Sequence, residues 1–144
     1  MGGTNTSTLK IVERLHTAAT LEQGFEAVAD NVVVHDWTKN CELRGKEALL
    51  DNVIRPSDAA FTDGSFEIEH MFADDTTGMV VVDAVYRAVF TGDYKGISAH
   101  GGPVSWRTRD MFLVEGGQVT RMWYGGDTLE MVQVLGAVDF ELPS

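Results

Sequence analysis

One cysteine, Cys41, is all the thiol this chain has, so it can form neither an internal disulfide nor a cysteine-rich zinc site. Cys41 is expected to be a half-buried thiol without a chemical role. Basic residues are scarce too: 11 Lys and Arg stand against 22 Asp and Glu, for a formal net charge of -11. Such a chain offers no basic face to a phosphate backbone or an anionic lipid surface, which argues against nucleic acid and membranes as partners. A small molecule or a second copy of the chain is left. No apolar run approaches the roughly 20 residues that span a bilayer. The N-terminal MGGTNTSTLKIVERL lacks the positive flank, apolar centre and small-residue cleavage site of a signal peptide, and cytoplasmic residence is the expectation. His16, His35, His70 and His100 form no HxH or HExxH pattern, and no glycine loop opens a helix to cradle phosphate, so no metal or organic cofactor is expected.

What is present fits one domain over residues 1–144, 44% apolar and long enough for a substantial core. Leu9, Val12, Leu15, His16 and Ala19 recur at helical spacing, and Phe25, Val28 and Ala29 continue it, predicting two short helices. NVVVHDW reads as a strand, and helical spacing over Gly45 to Ile54 is expected to stop at Pro56. The period then changes to two through SFEIEHMFAD, GMVVVDAVYRAVF, PVSWRTRDMFLV and QVTRMWY, with a tight hairpin at Glu115, Gly116 and Gly117. Gly92 to Gly102 reads as a mobile flap or edge loop. Helices followed by a run of antiparallel strands indicate an α+β domain.

The last third is the most informative: FTGDYKG, a Gly-Gly-Pro turn, then WRTRDMFLVEGGQVTRMWY closing on GGDTLEMVQVLG. VVVHDW with Arg44 and Gly45 and the FEIEHM strand come before it in order, and Phe90, Gly92, Gly96 and Pro103 lie at its start. Asp110, Phe112, Val114, Gly117, Trp123, Asp127, Leu135 and Gly136 follow. Over roughly Leu9 to Gly136 this pattern resembles the SnoaL-like polyketide cyclases. The resemblance implies a cone in which a curved sheet wraps helices around an interior pocket, and ring closure by intramolecular aldol chemistry without a cofactor. The family's acid/base aspartate falls on Tyr124 here and its partner histidine on Asp110, while Asp127 matches a second family acid.

Three residues are candidates for chemistry. Asp110 alternates with Trp106, Thr108 and Phe112 on one strand face, where a carboxyl among aromatics is costly unless paired or protonated. Tyr124 is expected on the face of Thr120 and Met122. His35 is expected inward, with Val33 and Trp37. Trp37, Tyr86, Trp106, Thr108, Phe112 and Asp127 are the expected substrate contacts. Tyr86 is in phase with Val82, Ala84 and Ala88, whereas Asp83, Val85, Arg87, Arg107 and Arg109 belong to the opposite, outer face. Mixed apolar and charged outer faces point to a homodimer. The expected activity is ring closure of a largely apolar, polyketide-like intermediate, either aldol with Asp110 as base or pericyclic. A hydroxylase or epoxide hydrolase on the same fold, or a non-catalytic binding module, is the alternative.

Overall fold

A computed structural model of the chain describes residues 2–139 and 142–143, with side chains from Thr8 onward. Helix α1 (Gly2–Thr17) turns Val12, Leu15 and His16 to one side, and all three are buried. Withdrawing Val12 and Leu15 from water contributes about 1.5–3 kcal/mol each, enough to hold the helix on the sheet. The one-turn helix α2 (Leu21–Gly24) is started by Thr20, whose side chain accepts a hydrogen bond from the Gln23 amide. A 3-10 turn (Phe25–Ala27) leads into strand β1 (Val28–Asp36). Strand β2 (Cys41–Arg44) pairs with β1 as an edge. It is too short to show a period, and no strand was expected there. Cys41 is exposed on this edge, not half-buried as expected, because the edge of a sheet has no neighbour to cover it.

The helical segment after Gly45 does not stop at Pro56. Helix α3 (Lys46–Leu49) passes into a π-helical turn (Leu50–Ile54) and on into helix α4 (Arg55–Ala60). Pro56 lies at the start of α4, directly after the π-helical turn, and the helical backbone continues through it. Leu49, Leu50, Val53 and Ile54 are buried, so this segment closes one side of the interior.

Strands β3 (Phe61–Asp74), β4 (Met79–Phe90), β5 (Pro103–Glu115) and β6 (Gln118–Tyr124) supply the rest of a six-stranded sheet in the order β2-β1-β6-β5-β4-β3. Every neighbouring pair is antiparallel except β1 and β6, which run parallel. This differs from the wholly antiparallel run expected: no hairpin joins the first strand to the last, so nothing imposes opposite directions on them. Register shifts in β3 between Thr62 and Ser65 and between Ile68 and His70 bend the sheet. Helix α5 (Thr128–Val134) ends the described elements. The result is an α+β fold with a curved open sheet over helices. Among the described residues no helix is long and apolar enough to cross a membrane.

Candidate active site

Strand alternation builds the inner wall. On β5, Trp106, Thr108 and Phe112 are buried with Asp110 in the same row, while Arg107 and Arg109 point outward and are exposed. Across the strand pair, Tyr86 stands opposite Trp106, Ala84 opposite Thr108 and Val82 opposite Asp110. The small partners of Thr108 and Asp110 leave open space between the Tyr86–Trp106 pair on one side and the Val80–Phe112 pair on the other. A cavity of about 120 Å³ occupies that space, lined among others by Tyr86, Trp106, Thr108, Asp110, Phe112, Tyr124 and Asp127. A second cavity of about 430 Å³ shares Leu15, His16, Leu21, Phe61, Phe66 and Tyr86 with it and adds Asp58, Asp63 and Ser65. An apolar chamber and a more polar vestibule therefore share a wall. The backbone at Gly64 passes so close to Tyr86 that a Cβ there would stand 2.5 Å from the phenol oxygen.

The segment between β4 and β5, expected as a mobile flap or an edge loop, is a hydrogen-bonded loop from which Tyr94 reaches the chamber. Tyr94 and Ile97 exchange backbone hydrogen bonds of 2.9 and 2.8 Å around a turn, and Tyr94 is buried against Phe61, the ring centroids 5.1 Å apart. Lys95 Nζ donates to Thr38 Oγ1 at 3.1 Å. Thr38 in turn donates from its backbone amide (2.9 Å) and its hydroxyl to the Asp36 carboxylate. Burial by itself would raise the Asp36 carboxyl, but the Thr38 hydroxyl, the neighbouring Tyr124 phenol and Lys95 together hold it below the usual carboxylate range. Asp36 is thus an ionised, satisfied group behind the chamber wall.

Asp110 is in the opposite state. Desolvation, with the nearby Asp127 carboxyl adding to it, pushes its pKa up to about 8 against one opposing backbone hydrogen bond from Gly125. At neutral pH its carboxyl is mainly protonated and donates. Asp127 is also raised, chiefly by burial, with Glu130 adding to it and the Trp106 indole N–H resisting. Gly125, which supplies the amide to Asp110, has φ +96°, and a Cβ there would meet Thr38 at 2.8 Å, so no other residue fits this corner without strain. Tyr124 pairs in register with Asp36 on the parallel neighbour. Its buried hydroxyl meets no group at strict hydrogen-bonding geometry among the described residues, but it lies beside the Asp36 carboxylate, and burial followed by that contact pushes its pKa strongly upward. It is a neutral donor whose protein acceptor, Asp36, holds it only loosely. No Lys or Arg lines the chamber among the described residues, and no group of three or more of their His, Cys, Asp or Glu side chains is placed to hold a metal.

Of the expected site residues, Asp110, Tyr124, Tyr86, Trp106, Thr108, Phe112 and Asp127 come together around one cavity. Two do not. His35 faces outward, its ring stacked on Trp123 at 5.3 Å and within 2.8 Å of Arg121 Nη1, because the buried row of β1 is Val32, Val34 and Asp36. Val33 is apolar yet lies on the outer face, which put the expected phase off by one residue. Trp37 is 46% exposed and outside the cavity. Thr120 also leaves the expected face, since the register shift between Leu113 and Val114 moves the inward position to Val119. His16 and Tyr94 line the chamber and were not expected to; the helical spacing of Val12, Leu15 and His16 was the available signal for the first.

The family model for SnoaL-like polyketide cyclases matches residues 7–135. No protein of curated function matches the chain by sequence. Among solved structures, a proposed SnoaL-like polyketide cyclase from Jannaschia sp. CCS1 superposes with a TM-score of 0.79 at 19% identity, over 93% of this chain and 94% of that one. IdmH, a proposed polyketide cyclase from Streptomyces antibioticus, gives 0.73 at 21% identity over 90% and 98%. AclR, a proposed hydroxylase from Streptomyces galilaeus, gives 0.76 at 18% over 99% and 86%. At such identities these likenesses establish the fold alone, which hosts more than one chemistry.

Proposed function

The chain belongs to the SnoaL-like polyketide cyclase family, and from that premise we propose that it closes a ring within a largely apolar, polyketide-like intermediate, using only proton transfers. The observation that carries this reading is a carboxyl group, Asp110, held protonated inside an aromatic chamber that a loosely held phenol, Tyr124, also lines. Ring closure by an aldol step needs a proton donor at the carbonyl under attack and a donor that steadies the enolate as it develops. Asp110 fills the first role as an acid, and Tyr124 the second. Trp106, Phe112 and Tyr86 hold the folded chain so that its reacting carbons meet, which lowers the entropic part of the barrier. Thr108 and Asp127 supply the remaining polar contacts.

The test is incubation with a synthetic linear poly-β-ketone thioester, followed by mass spectrometry. Aldol closure gives a product of the same mass with changed retention, or one lighter by a molecule of water. Oxygen gained from labelled water or dioxygen would overturn the reading in favour of a hydrolase or hydroxylase, and binding without conversion would favour a sequestering module. Asp110→Asn should reduce turnover by ~100-fold or more; near-normal turnover in that variant would mean that the closure is pericyclic and needs only the chamber's shape.

The outer face of the sheet belongs to the same reading. Val33, Val81, Val85, Met111, Leu113 and Trp123 lie there half-buried, flanked by the ion pairs Arg87–Glu67 (2.6 Å) and Arg109–Asp83 (3.2 Å). An apolar band with a charged rim suits a two-fold homodimer.

A further inference from the structure

We infer that His16 is the base that takes the carbon-bound proton in this chamber. The assignment rests on the reading of the cavity as a site of ring closure, for which a proton acceptor has still to be placed.

His16 comes from α1, not from the sheet, and lines both the chamber and the vestibule. Its Nδ1 lies 2.9 Å from the Val12 carbonyl oxygen. A carbonyl oxygen only accepts, so the hydrogen is on Nδ1. Burial lowers the imidazole pKa despite that bond, and the ring is therefore neutral at pH 7, with Nε2 carrying a free lone pair. Among the described residues no donor reaches Nε2. Phe66 and Phe112 meet the ring edge-on, with centroids 4.8 and 5.6 Å away, and so fix its plane. Phe112 is two residues beyond Asp110 in the inward row of β5, which brings a fixed acceptor and a protonated acid to the same chamber. Around the two cavities that His16 lines, the other titratable groups are Tyr86 on β4, Tyr94 in the loop between β4 and β5, Asp110 on β5, Tyr124 on β6 and Asp127 in the chamber, and Asp58 and Asp63 in the vestibule.

The roles balance. Nε2 takes a proton from a carbon flanked by carbonyls, and the C–H electron pair moves onto oxygen as an enolate hydrogen-bonded by Tyr124. The enolate carbon then forms the new C–C bond to a second carbonyl, whose oxygen receives the Asp110 proton. Transfer of the proton from His16 to Asp110 restores both groups, and the product is an isomer of the substrate.

Nitrobenzisoxazole tests this without knowledge of the natural substrate. A base removes its single carbon-bound proton, the electrons form a nitrile, and the N–O bond breaks to release a coloured phenolate. His16→Gln should lower the elimination rate by ~100-fold or more while His35→Gln, on the outer face of the sheet, leaves it within a few-fold. The wild-type rate should rise with pH through an inflection below the ordinary imidazole value of 6.5. Loss in Asp110→Asn instead, with an inflection near 8, would overturn the assignment to His16 and leave the ring-closure reading standing with Asp110 as base. No elimination above free imidazole, with probe binding visible by NMR, would overturn the assignment as well. Nitrogen-15 NMR of the wild-type protein checks it independently of any variant's folding: Nε2 must appear unprotonated at neutral pH, and an Nε2–H signal would refute it.

Discussion

Replacing Asp110 with asparagine gives the most direct check on the electrostatics of the chamber, because it keeps shape and neutrality but removes the proton that can be lost. In the native protein the Asp110 carboxyl titrates at about 8, against an ordinary value of 3.8. Between those two pH values the native state holds a proton that the unfolded chain has released, so stability falls as pH rises. The fall is about 1.4 kcal/mol per pH unit. It sets in near pH 4, below which both states are protonated, and ends near pH 8, above which both are ionised. Over roughly four units the full linkage would be about 5–6 kcal/mol. Solvent in the chamber screens part of it, and ~3–5 kcal/mol is the working figure. The amide in the Asp110→Asn variant has no proton to lose, so urea unfolding across a series from about pH 5 to about pH 9 should show the variant gaining on the wild type at each step and levelling above about pH 8. The Asp127 carboxyl, raised mainly by burial, titrates in both proteins and mostly cancels. Parallel stability profiles for the two proteins would refute the reasoning: Asp110 would then be solvated or paired, and would not be the acid proposed.

Tyr124→Phe removes a buried hydroxyl held only loosely beside Asp36, so stability should change by no more than about 1 kcal/mol, while ring-closing turnover falls ~10-fold or more; a larger loss of stability would mean that the hydroxyl is firmly bonded. Met111→Glu places a charge in the half-buried band of the outer face and should convert a dimer to a monomer, measured by light scattering on a sizing column. A wild-type monomer would sink the dimer proposal.

Much of the fold was legible because the long strands alternate without interruption. The β4 and β5 rows put Tyr86, Trp106, Thr108, Asp110 and Phe112 on one face from sequence alone, and the residues opposite them, Asp83, Arg87, Arg107 and Arg109, pair outward or meet solvent. Legibility failed where the pattern is ambiguous. Strand β1 is apolar on both faces, so its phase cannot be read from residue type, and His35 and Asp36 exchanged places between wall and surface. Strand β6 carries a register shift that no composition announces, which displaced Thr120. His16 escaped notice as a candidate for chemistry because one polar residue on an apolar helix face reads as core. Its importance depends on which strand faces it, and that is a long-range fact. The glycines of the Gly92 to Gly102 segment left a mobile flap and an edge loop both open, and what the sequence did not announce is that Tyr94, Lys95 and Asp93 tie the loop down, the last through the Ala99 amide at 3.0 Å.

The π-helical turn at Leu50–Ile54 makes the chamber sensitive to chain length as well as to side-chain identity. It holds one more residue per turn than its flanks allow, with Asn52 Nδ2 donating to the Ala48 carbonyl at 2.8 Å beside the widened ring. Losing a single residue here would restore ordinary helical register and rotate everything up to β3 by about 100°. Ser57 would leave the chamber wall, and Asp58 would leave the amides of Leu21 and Glu22, which it accepts from at 3.2 and 3.3 Å. In an alignment of relatives, a one-residue gap at this point would therefore mark a differently shaped interior, even where every lining residue is the same.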